Sequence, residues 1–502
     1  MLPVLLSDDV KRQDAGASSL GVSVEQLMEN AGWAVARAAR RLLEGMYGRR
    51  VVIMCGKGNN AGDGLAAGRI LHSQGAHVTA VLTSDEHSDL TSRNLARFPG
   101  RRVTLKSVRR ELERADLVID ALLGVGSTRA PHGGIGEAIR SLRDVAAPVL
   151  AVDVPSGVDA DTGGVPGDVV TARATVTFTG YKPGLLFAPG VEHAGRVEIA
   201  DIGIPDPATE ISVLEARDVS AWLPRRARAA HKRNAGTVLV VAGSRAMPGA
   251  AALVRGACVQ AGAGLTTLCA PEDVCRVVLS RVPEITTIPL PESAEGILDA
   301  KASDLIGPRV NDFTTMVVGP GLGTHPATVE AVRALVETRE GTLVLDADGL
   351  NALAGAIDVL QQRSEAGRIS IVTPHAGELS RLVGKSAADL DADRLVAARA
   401  AARDLGCTVV FKGPGTVVAG DETFINPTGG PALAQGGTGD VLAGMVGGLL
   451  AQKGSARARD VAAAVWLHGA AADRLSRRIA PHPANASALI AELPPTMHEV
   501  AR

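Results

Sequence analysis

Polar side chains follow a glycine-rich turn in the first half of the chain. The segment 55–64, CGKGNNAGDG, stands between an apolar strand-like run and a helical pattern. Glycines in such a turn let backbone N–H groups approach a phosphate at the positive end of a helix. The spacing is not GxGxxG, so an ordinary dinucleotide fingerprint is not indicated. A plain tight turn would also fit, but the added Asn59, Asn60 and Asp63 favour a ligand site.

Carboxylates end two further strand-like runs of the first half, Asp120 in DALLGVG and Asp153 in VDVPSGVD. Because the ends of parallel strands meet at one sheet edge, these residues should converge there. Asp120, with Asn60 and Ser156, offers oxygen ligands to a hard cation, and Asp153 can serve as general acid and base. Each aspartate could instead cap a turn or a helix. Lys182, in GYKPG, is another polar candidate, although a lysine at a strand end is more often structural or solvated.

The second half has a comparable turn, GGTGD at 436–440, immediately before a helical pattern. Consecutive backbone N–H groups there form an anion site, which the helix dipole strengthens. Asp440 could take the proton from a substrate hydroxyl during phosphoryl transfer. Its alternative role is to stabilise the helix N-terminus, which is worth about 0.3–1 kcal/mol.

Other strand-like runs of this half end in loops of the same kind. They are GPGLG at 319–323, DADGLN at 346–351, TPHAGE at 373–378 and KGPGT at 412–416. Together they put carboxylates and loops suited to phosphate along one sheet edge. Lys412 could hold a nucleotide phosphate. His375 alone would more often be a turn residue, but beside Glu378 it is a reasonable ligand contact.

Alternating strand and helix patterns position these loops. Near-continuous apolar runs separated by helices indicate a parallel sheet covered on both faces. In the first half the strand-like runs are RRVVIMCG, HVTAVLT, DLVIDALLG, PVLAVDVP, ATVTFTGYKPG and GRVEIADIG. A helix ahead of them starts with a capping box of Ser23 and Gln26. Its apolar face comprises Leu27, Ala31, Val35, Ala38 and Leu42.

The second half repeats this rhythm from Gly236 and is also expected to be α/β with a mainly parallel sheet. Its strand-like runs are GTVLVVAG, FTTMVVGPG, GTLVLDADG, RISIVTPH and CTVVFKGPG. No internal repeat relates the two halves. Prolines and a basic run place a linker between them, at about 205–233.

Bulk composition restricts the class of protein. The 502 residues suggest two to four domains, and 46% hydrophobic residues suffice for sizeable cores. A net charge of −2 gives no reason to expect nucleic acid or an anionic membrane as partner. No run of about 18 apolar residues and no signal peptide is evident. Five cysteines without a CxxC pair indicate neither disulfides nor zinc, so a reducing cytoplasm is the expected location.

The motifs of the first half closely resemble those of the NAD(P)H-hydrate epimerase domain. GNNAGDG, DALLGVG, DVPSGVDAD, TGYKPG and the upstream LMENAG carry the likeness, which covers residues 1–215. It implies a Rossmann-like three-layer fold, a homo-oligomer, and K⁺ at Asn60, Asp120 and Ser156. The residues it implies for hydrate binding are Asn59, Asn60, Ala61, Gly62, Asp63, Gly124, Val125, Gly126, Ser127, Thr128, Arg129, Ala130 and Asp153. The one departure is Ala61, where the family usually has glycine.

The second half resembles the ribokinase-like superfamily and, within it, the ADP-dependent NAD(P)H-hydrate dehydratase, over residues 225–500. GPGLG, DADGLNAL, TPHAGE, KGPGT and GGTGDVLAG occur in the family's order. The resemblance implies substrate contacts at Ala250, Gly321, His375 and Asp440, with Asp440 as the catalytic base and Mg²⁺ on the phosphates. The residues it implies for nucleotide binding are Lys412, Gly413, Pro414, Gly415, Thr416 and Gly439.

The two resemblances together imply a bifunctional enzyme of cofactor repair. It would interconvert the R and S forms of NAD(P)H hydrate and dehydrate the S form at the expense of ADP, giving NAD(P)H, AMP and phosphate. An alternative is an ATP-dependent kinase of a small hydroxylated metabolite, which GGTGD alone fits equally well. In that case the first half would be a non-catalytic Rossmann-like binding domain.

Overall fold

The computed structural model describes residues 1–502 except 18–20, 205–208, 227, 230, 281, 283, 292–295, 299–300 and 480–484. The chain forms two compact units, one of Leu2–Ile211 and one of Ser212–Arg502 together with Met1. Part of the expected linker, including Pro205 and Pro207, lies outside the described residues.

The N-terminal unit contains a seven-stranded sheet in which every neighbouring pair of strands runs parallel. After a two-residue strand β1 (Leu2–Pro3), the strands are β2 (Arg50–Cys55), β3 (His77–Leu82), β4 (Arg101–Thr104), β5 (Leu117–Ala121), β6 (Val149–Val152), β7 (Ala174–Phe178) and β8 (Arg196–Ala200). Their order across the sheet is β4-β3-β2-β5-β6-β7-β8. The direction of winding therefore reverses between β2 and β5, which creates a crevice at their carboxyl ends.

Helices cover both faces of this sheet. They are α1 (Ser7–Ala17), α2 (Val24–Leu42), α3 (Asn59–Ser73), α4 (Asp89–Ala96), α5 (Val108–Leu112), α6 (Gly133–Ser141) and α7 (Gly190–Ala194). Strand β2 shows the arrangement: Val51 and Ile53 join one core with α2 and α3, whereas Val52 and Met54 join a second core with α5 and α6. Because side chains alternate along a strand, an apolar run of this kind fills two cores. The predicted three-layer α/β architecture is confirmed.

Helix α2 begins where its sequence predicts, but only the Ser23 half of the expected capping box forms, because the Gln26 side chain donates to Asn30 instead. The Ser23 hydroxyl accepts a hydrogen bond from the Gln26 backbone N–H at 3.1 Å, which satisfies one free donor of the first turn. Leu27, Ala31 and Val35 are buried on the face that packs against α3 and the sheet.

The C-terminal unit contains a larger sheet. Its strands are β9 (Ile211–Val213), β10 (Thr237–Val241), β11 (Leu265–Pro271), β12 (Thr286–Leu290), β13 (Thr315–Val318), β14 (Thr342–Leu345), β15 (Ser370–Val372), β16 (Thr408–Phe411), β17 (Val417–Ala419) and β18 (Thr423–Ile425). The order β9-β18-β17-β16-β15-β14-β13-β10-β11-β12 places the reversal between β10 and β13. From β12 through β16 the strands are parallel, while β16, β17 and β18 pair antiparallel.

Thirteen helices of the described residues belong to this unit: α8 (Ala216–Trp222), α9 (Pro248–Gln260), α10 (Glu272–Leu279), α11 (Lys301–Ile306), α12 (Pro326–Thr338), α13 (Asp348–Ala352), α14 (Asp358–Glu365), α15 (Ala376–Val383), α16 (Ala387–Ala392), α17 (Arg394–Leu405), α18 (Thr438–Ala451), α19 (Ala458–Ile479) and α20 (Ala486–Ala501). Val254, Val446 and Leu467 from α9, α18 and α19 share one core with Val240 of the sheet. No helix of the described part of the chain has the length and apolar character to cross a membrane.

The linker is shorter than the sequence predicts. Residues 211–222 form β9 and α8 rather than a connector. Leu214 and Val219 are buried in the core of the C-terminal unit, so this stretch is part of the folded unit. Seven of these twelve residues are apolar, but they lie between the prolines at 205–207 and the proline and basic run that begin at 224, and this context led to the linker prediction. Strands β4, β11, β12, β17 and β18 were likewise missed.

Candidate active sites

A cavity of about 790 Å³ opens in the N-terminal unit beside the ends of β2 and β5. This is the crevice in which open α/β sheets bind ligands. Ten of the residues expected to bind substrate line it: Asn59, Asn60, Asp63, Gly124, Val125, Gly126, Ser127, Arg129, Ala130 and Asp153. Ala61, Gly62 and Thr128 lie off its wall. The first turn of α3 therefore presents only part of the GNNAGDG segment to the cavity.

Ala61 and Gly62 face the protein interior. The methyl group of Ala61 is fully buried in the core shared with α2. A Cβ placed on Gly62 would lie 2.6 Å from the thioether of Met28, so a side chain here would require Met28 to move. The departure from glycine at residue 61 consequently adds its methyl to the core and does not narrow the cavity.

Asp153 follows β6 with a φ of 66°, which is uncommon for a residue with a side chain. Its Oδ1 accepts hydrogen bonds from Lys182 Nζ at 2.6 Å and Thr177 Oγ1 at 3.0 Å. Lys182 is 1% exposed and also donates to Thr177 Oγ1 and the Phe178 carbonyl, both at 2.9 Å. Since an ammonium has three N–H donors, those of Lys182 are fully used. Lys182 thus holds Asp153 and has no donor left for a ligand.

Asp63 is a second carboxyl group on the cavity wall, one turn into α3. Burial raises its pKa well above the usual value, and the nearby charges of Asp153 and Asp14 raise it further. A carboxyl group in such surroundings favours its neutral form. The cavity therefore contains one aspartate held by a lysine and another that tends to stay protonated.

Asp120, Ser156 and Asn60 meet beside the same cavity. Asp120 is fully buried, and its carboxylate accepts from the Ser156 backbone N–H at 2.8 Å and the Ser156 hydroxyl at 2.6 Å. The Asn60 amide donates to the Leu123 carbonyl at 2.8 Å, and the Leu123 backbone N–H donates to the Ser156 hydroxyl at 2.9 Å, so Leu123 links Asn60 to this group. Burial raises the pKa of Asp120 to about 6. Because the donor atoms are all oxygens around a buried carboxylate, the set fits a hard monovalent or divalent cation.

Lys412, at the end of β16, is the centre of a carboxylate cluster in the C-terminal unit. Its Nζ lies 2.6 Å from Asp346 Oδ1 and 3.6 Å from Glu378 Oε2. The Thr373 hydroxyl also donates to Asp346 Oδ1, at 2.8 Å. Burial opposes the charge of Lys412, but Asp346 and Glu378 outweigh it and raise the pKa of the ammonium. The lysine side chain is 19% exposed, so it remains open to an anionic ligand.

Asp440 is the third residue of α18 and lies beside this cluster. Burial raises its pKa to about 6, with contributions from Asp346 and Asp348, while Lys412 acts in the opposite direction. A Cβ on Gly439 would lie 3.5 Å from Lys412 Nζ, so the turn before Asp440 reaches the lysine directly. The helix N-terminus, the lysine and the aspartate thus form one anion-binding and proton-accepting site.

The other residues predicted to contact the substrate in this unit are Ala250, Gly321 and His375. A Cβ on Gly321 would lie 2.7 Å from the Ala250 methyl group, so these two positions are adjacent. His375 caps α15: its Nδ1 accepts from the backbone N–H groups of Gly377 and Glu378, at 3.0 and 3.3 Å. Its Nε2 lies 3.4 Å from Glu378 Oε1. His375 therefore has a structural role in addition to any ligand contact.

The segment 412–416 is shaped by a residue that the sequence did not reveal. Arg394, at the start of α17, donates to the carbonyls of Phe411 and Lys412 at 2.9 and 3.1 Å. Its guanidinium also lies 4.0 Å above the Phe411 ring. Arg394 follows the acidic segment DLDAD at 389–393, but nothing in that segment links it to Phe411 and Lys412 of a separate strand, so the sequence did not identify its role. Lys182 was only one candidate among several, and its burial decides its role.

Two family models match the chain. One, described as NAD(P)H-hydrate dehydratase, matches residues 238–495, and the other, described as YjeF-related protein N-terminus, matches residues 24–184. A solved ribokinase-like superfamily protein of Enterococcus faecalis V583 is similar to 59% of this chain, over 98% of its own, with a TM-score of 0.50 and 24% identity. At that identity the likeness establishes the ribokinase-like fold alone.

Full-length relatives match as well. The bifunctional NAD(P)H-hydrate repair enzyme Nnr of Moorella thermoacetica is 39% identical over 471 residues, which are 90% of this chain and 88% of that protein. The protein of the same name from Escherichia coli K12 is 34% identical over 491 residues, 95% of this chain and 90% of that one. With both halves matched in order and the sites described above present, this chain belongs to the family of bifunctional NAD(P)H-hydrate repair enzymes.

Proposed function

We propose that residues 1–215 interconvert the R and S forms of NAD(P)H hydrate and that residues 225–500 dehydrate the S form with ADP. The observation that supports this most directly is the group of Asp440, Lys412 and Asp346 at the N-terminus of α18. It combines a base of pKa about 6 with a lysine and the backbone N–H groups of a helix N-terminus. Such a combination suits phosphoryl transfer to a hydroxyl.

In the dehydration step, Asp440 takes the proton of the hydrate hydroxyl as its oxygen attacks the β-phosphorus of ADP. The bond to the α,β-bridging oxygen breaks and AMP leaves. The ring nitrogen lone pair then expels phosphate from the neighbouring carbon, and loss of a proton from the next carbon restores the double bond of NAD(P)H. Lys412 and the N–H groups of Gly436–Gly439 stabilise the charge on the transferring group.

The nucleotide is proposed to lie along Lys412–Thr416 and Gly439. Thr416 is suited to hold this loop because its hydroxyl donates to the Gly413 carbonyl at 2.9 Å. Mg²⁺ would supply charge neutralisation on the phosphates. We assign it no protein ligand.

In the epimerisation step, Asp153 is proposed to move the proton. Lys182 and Thr177 fix its Oδ1. Among the described residues Oδ2 has no hydrogen-bond partner, so it is available to a substrate in the cavity that Asp153 lines. The carbon that bears the hydroxyl inverts when the ring opens or dehydrates and closes again from the other face. Both routes need a group that first accepts and then returns a proton.

Potassium is proposed at Asn60, Asp120 and Ser156, where it would neutralise a buried carboxylate and help to fix the loops after β2, β5 and β6. Epimerisation measured in KCl and in a tetramethylammonium salt tests this. A rate that is the same in both salts, with Asp120→Asn also unchanged, would refute the potassium site. The family resemblance supports a homo-oligomer, which light scattering can measure, and the cysteine usage supports a location in the reducing cytoplasm.

The decisive experiment incubates the purified full chain with an R and S mixture of NADH hydrate, Mg²⁺, K⁺ and ADP while the absorbance of reduced nicotinamide is followed. We expect complete recovery of NADH, recovery of only the S fraction with Asp153→Ala, and none with Asp440→Ala. No recovery with ADP or ATP would refute the proposal. Accumulation of a phosphorylated product without elimination would instead support a kinase, which the family membership does not favour.

A further inference from the structure

Helix α19 lies beside the segment that leads into α18. Residues 426–437 connect β18 to α18, and three side-chain contacts join this connection and the start of α18 to α19. The Thr428 hydroxyl donates to the Trp466 carbonyl at 2.8 Å, and the Gly429 N–H donates to Asp473 at 2.9 Å. Gly469 allows the close approach, since a Cβ there would lie 2.3 Å from the Thr428 hydroxyl. One face of α19 therefore holds the connection in place.

His468 makes the third contact, directly at the first turn of α18. Its Nε2 lies 3.0 Å from the carbonyl oxygen of Thr438, two residues before Asp440. Because a carbonyl can only accept, Nε2 carries the proton and donates. The imidazole is buried, and burial, aided by the charge of Lys412, lowers its pKa to about 4. It is thus a neutral donor throughout the physiological pH range.

Thr438 itself is held from the other side. Its hydroxyl donates to the carbonyls of Leu433 and Gln435, at 2.8 and 2.9 Å. The residue that begins α18 is therefore fixed through its side chain by the preceding loop and through its carbonyl by His468. The first turn of a helix otherwise frays readily because its N–H groups have no intrahelical partners.

We propose that His468 is a positioning residue for phosphoryl transfer: by holding the Thr438 carbonyl it fixes the first turn of α18, and with it the N–H groups of Gly436–Gly439 and the carboxylate of Asp440. This inference rests on the proposed function of the C-terminal unit. His468 itself reaches neither substrate nor nucleotide. Its effect arises because a displacement of about 1 Å in a catalytic group can lower a rate about a hundredfold.

Three substitutions of His468 test whether it acts through its hydrogen bond to Thr438 or only by filling space in the core. H468F keeps a ring of similar volume without a donor, H468Q keeps an amide N–H at a similar reach, and H468N keeps the same amide one methylene short. In the full chain we expect H468F to lower the kcat of dehydration about 10- to 100-fold. The KM for ADP should change less than about threefold, because Gly439 is the single proposed nucleotide contact in the turn that His468 holds and 412–416 is untouched. H468Q should retain kcat within about fivefold of the unsubstituted chain.

The epimerisation rate of each variant is the internal control for correct folding elsewhere. Equal kcat for H468F and H468Q, or a higher kcat for H468F, would assign His468 to packing and overturn the inference. If H468F does not fold, H468Q against H468N provides the same comparison, and equal kcat values overturn it. Failure of the unsubstituted chain to dehydrate the hydrate with ADP or ATP would instead refute the proposed function, and this inference with it.

Discussion

Each unit of this chain places a lysine against an aspartate at the end of its parallel sheet, yet the two pairs differ in what the lysine can do. Lys182 and Lys412 both lie 2.6 Å from an aspartate oxygen, that of Asp153 and Asp346 respectively. Lys182 is 1% exposed and donates to three protein acceptors. The side chain of Lys412 is 19% exposed and lies close to Gly439 of the anion-binding turn.

The comparison shows that the same kind of ion pair, lysine with aspartate, can have two different roles. In the N-terminal unit all N–H donors of the lysine bind protein acceptors, so the aspartate is the group that faces the ligand. In the C-terminal unit the lysine keeps donors for a ligand, and a separate carboxyl group, Asp440, is left with a raised pKa. A buried, saturated cation positions a base, whereas a partly open cation binds an anion.

The largest expected effect concerns Asp440, the carboxyl group that is the ion-pair partner of neither Lys182 nor Lys412. Asp440→Asn should lower the kcat of dehydration about 10²- to 10⁴-fold, because the general base is lost while the shape is kept. The rate of NADH recovery from the S hydrate with ADP measures this. Epimerisation by the same protein is the control and should not change. A variant that dehydrates at the normal rate would remove Asp440 from the chemistry.

Lys182→Met tests whether this lysine is structural. Because it leaves a buried carboxylate without its cation, we expect a loss of about 3–5 kcal/mol of stability in the N-terminal unit. Hydrogen exchange of peptides from 2–211 in increasing urea measures it. Lys57→Met is the matched control, an exposed lysine on the same cavity, and should change stability by less than about 0.5 kcal/mol. Equal stability of both variants would contradict the comparison.

Lys412→Met tests the opposite role. We expect the KM for ADP to rise about 10- to 100-fold, since one charge-assisted contact to a phosphate is lost. The loss of stability should be smaller than with Lys182→Met because this pair is partly open to solvent. Steady-state kinetics and urea unfolding measure the two quantities, with the exposed Lys385→Met as control. An unchanged KM would leave the two lysines indistinguishable in function.

The smallest expected effect is on the pH profile of dehydration. With a pKa of about 6, Asp440 is a competent base only above that pH. The value of kcat/KM at pH 5 should therefore be about a tenth of its plateau value at higher pH. Asp348 raises this pKa, and Asp348→Asn should therefore move the acidic limb to lower pH. A limb that stays in place in this variant would show that another group titrates.

Local sequence was sufficient to predict those features whose signal lies within a few consecutive residues. The N-cap at Ser23, the apolar strands and the polar loops that follow them are of this kind. The position of Asp153 at the sheet end follows from the direction of parallel strands, whereas Asp440 was identified from the GGTGD turn that begins α18. The α/β class of both units and the family were therefore predictable, whereas the residues 211–222, which look like a linker, required the core into which Leu214 and Val219 pack.

What the sequence by itself determined is the alternation of strand and helix and the chemical groups at each strand end, because both depend on hydrophobic period and on turn residues. Tertiary structure alone decided which groups meet. It paired Lys182 with Asp153, and it placed Arg394 and His468 where they donate to the carbonyls of Lys412 and Thr438. These partners are 18 to 30 residues apart along the chain. No local pattern encodes such pairs, since they arise only when separate elements pack into one core.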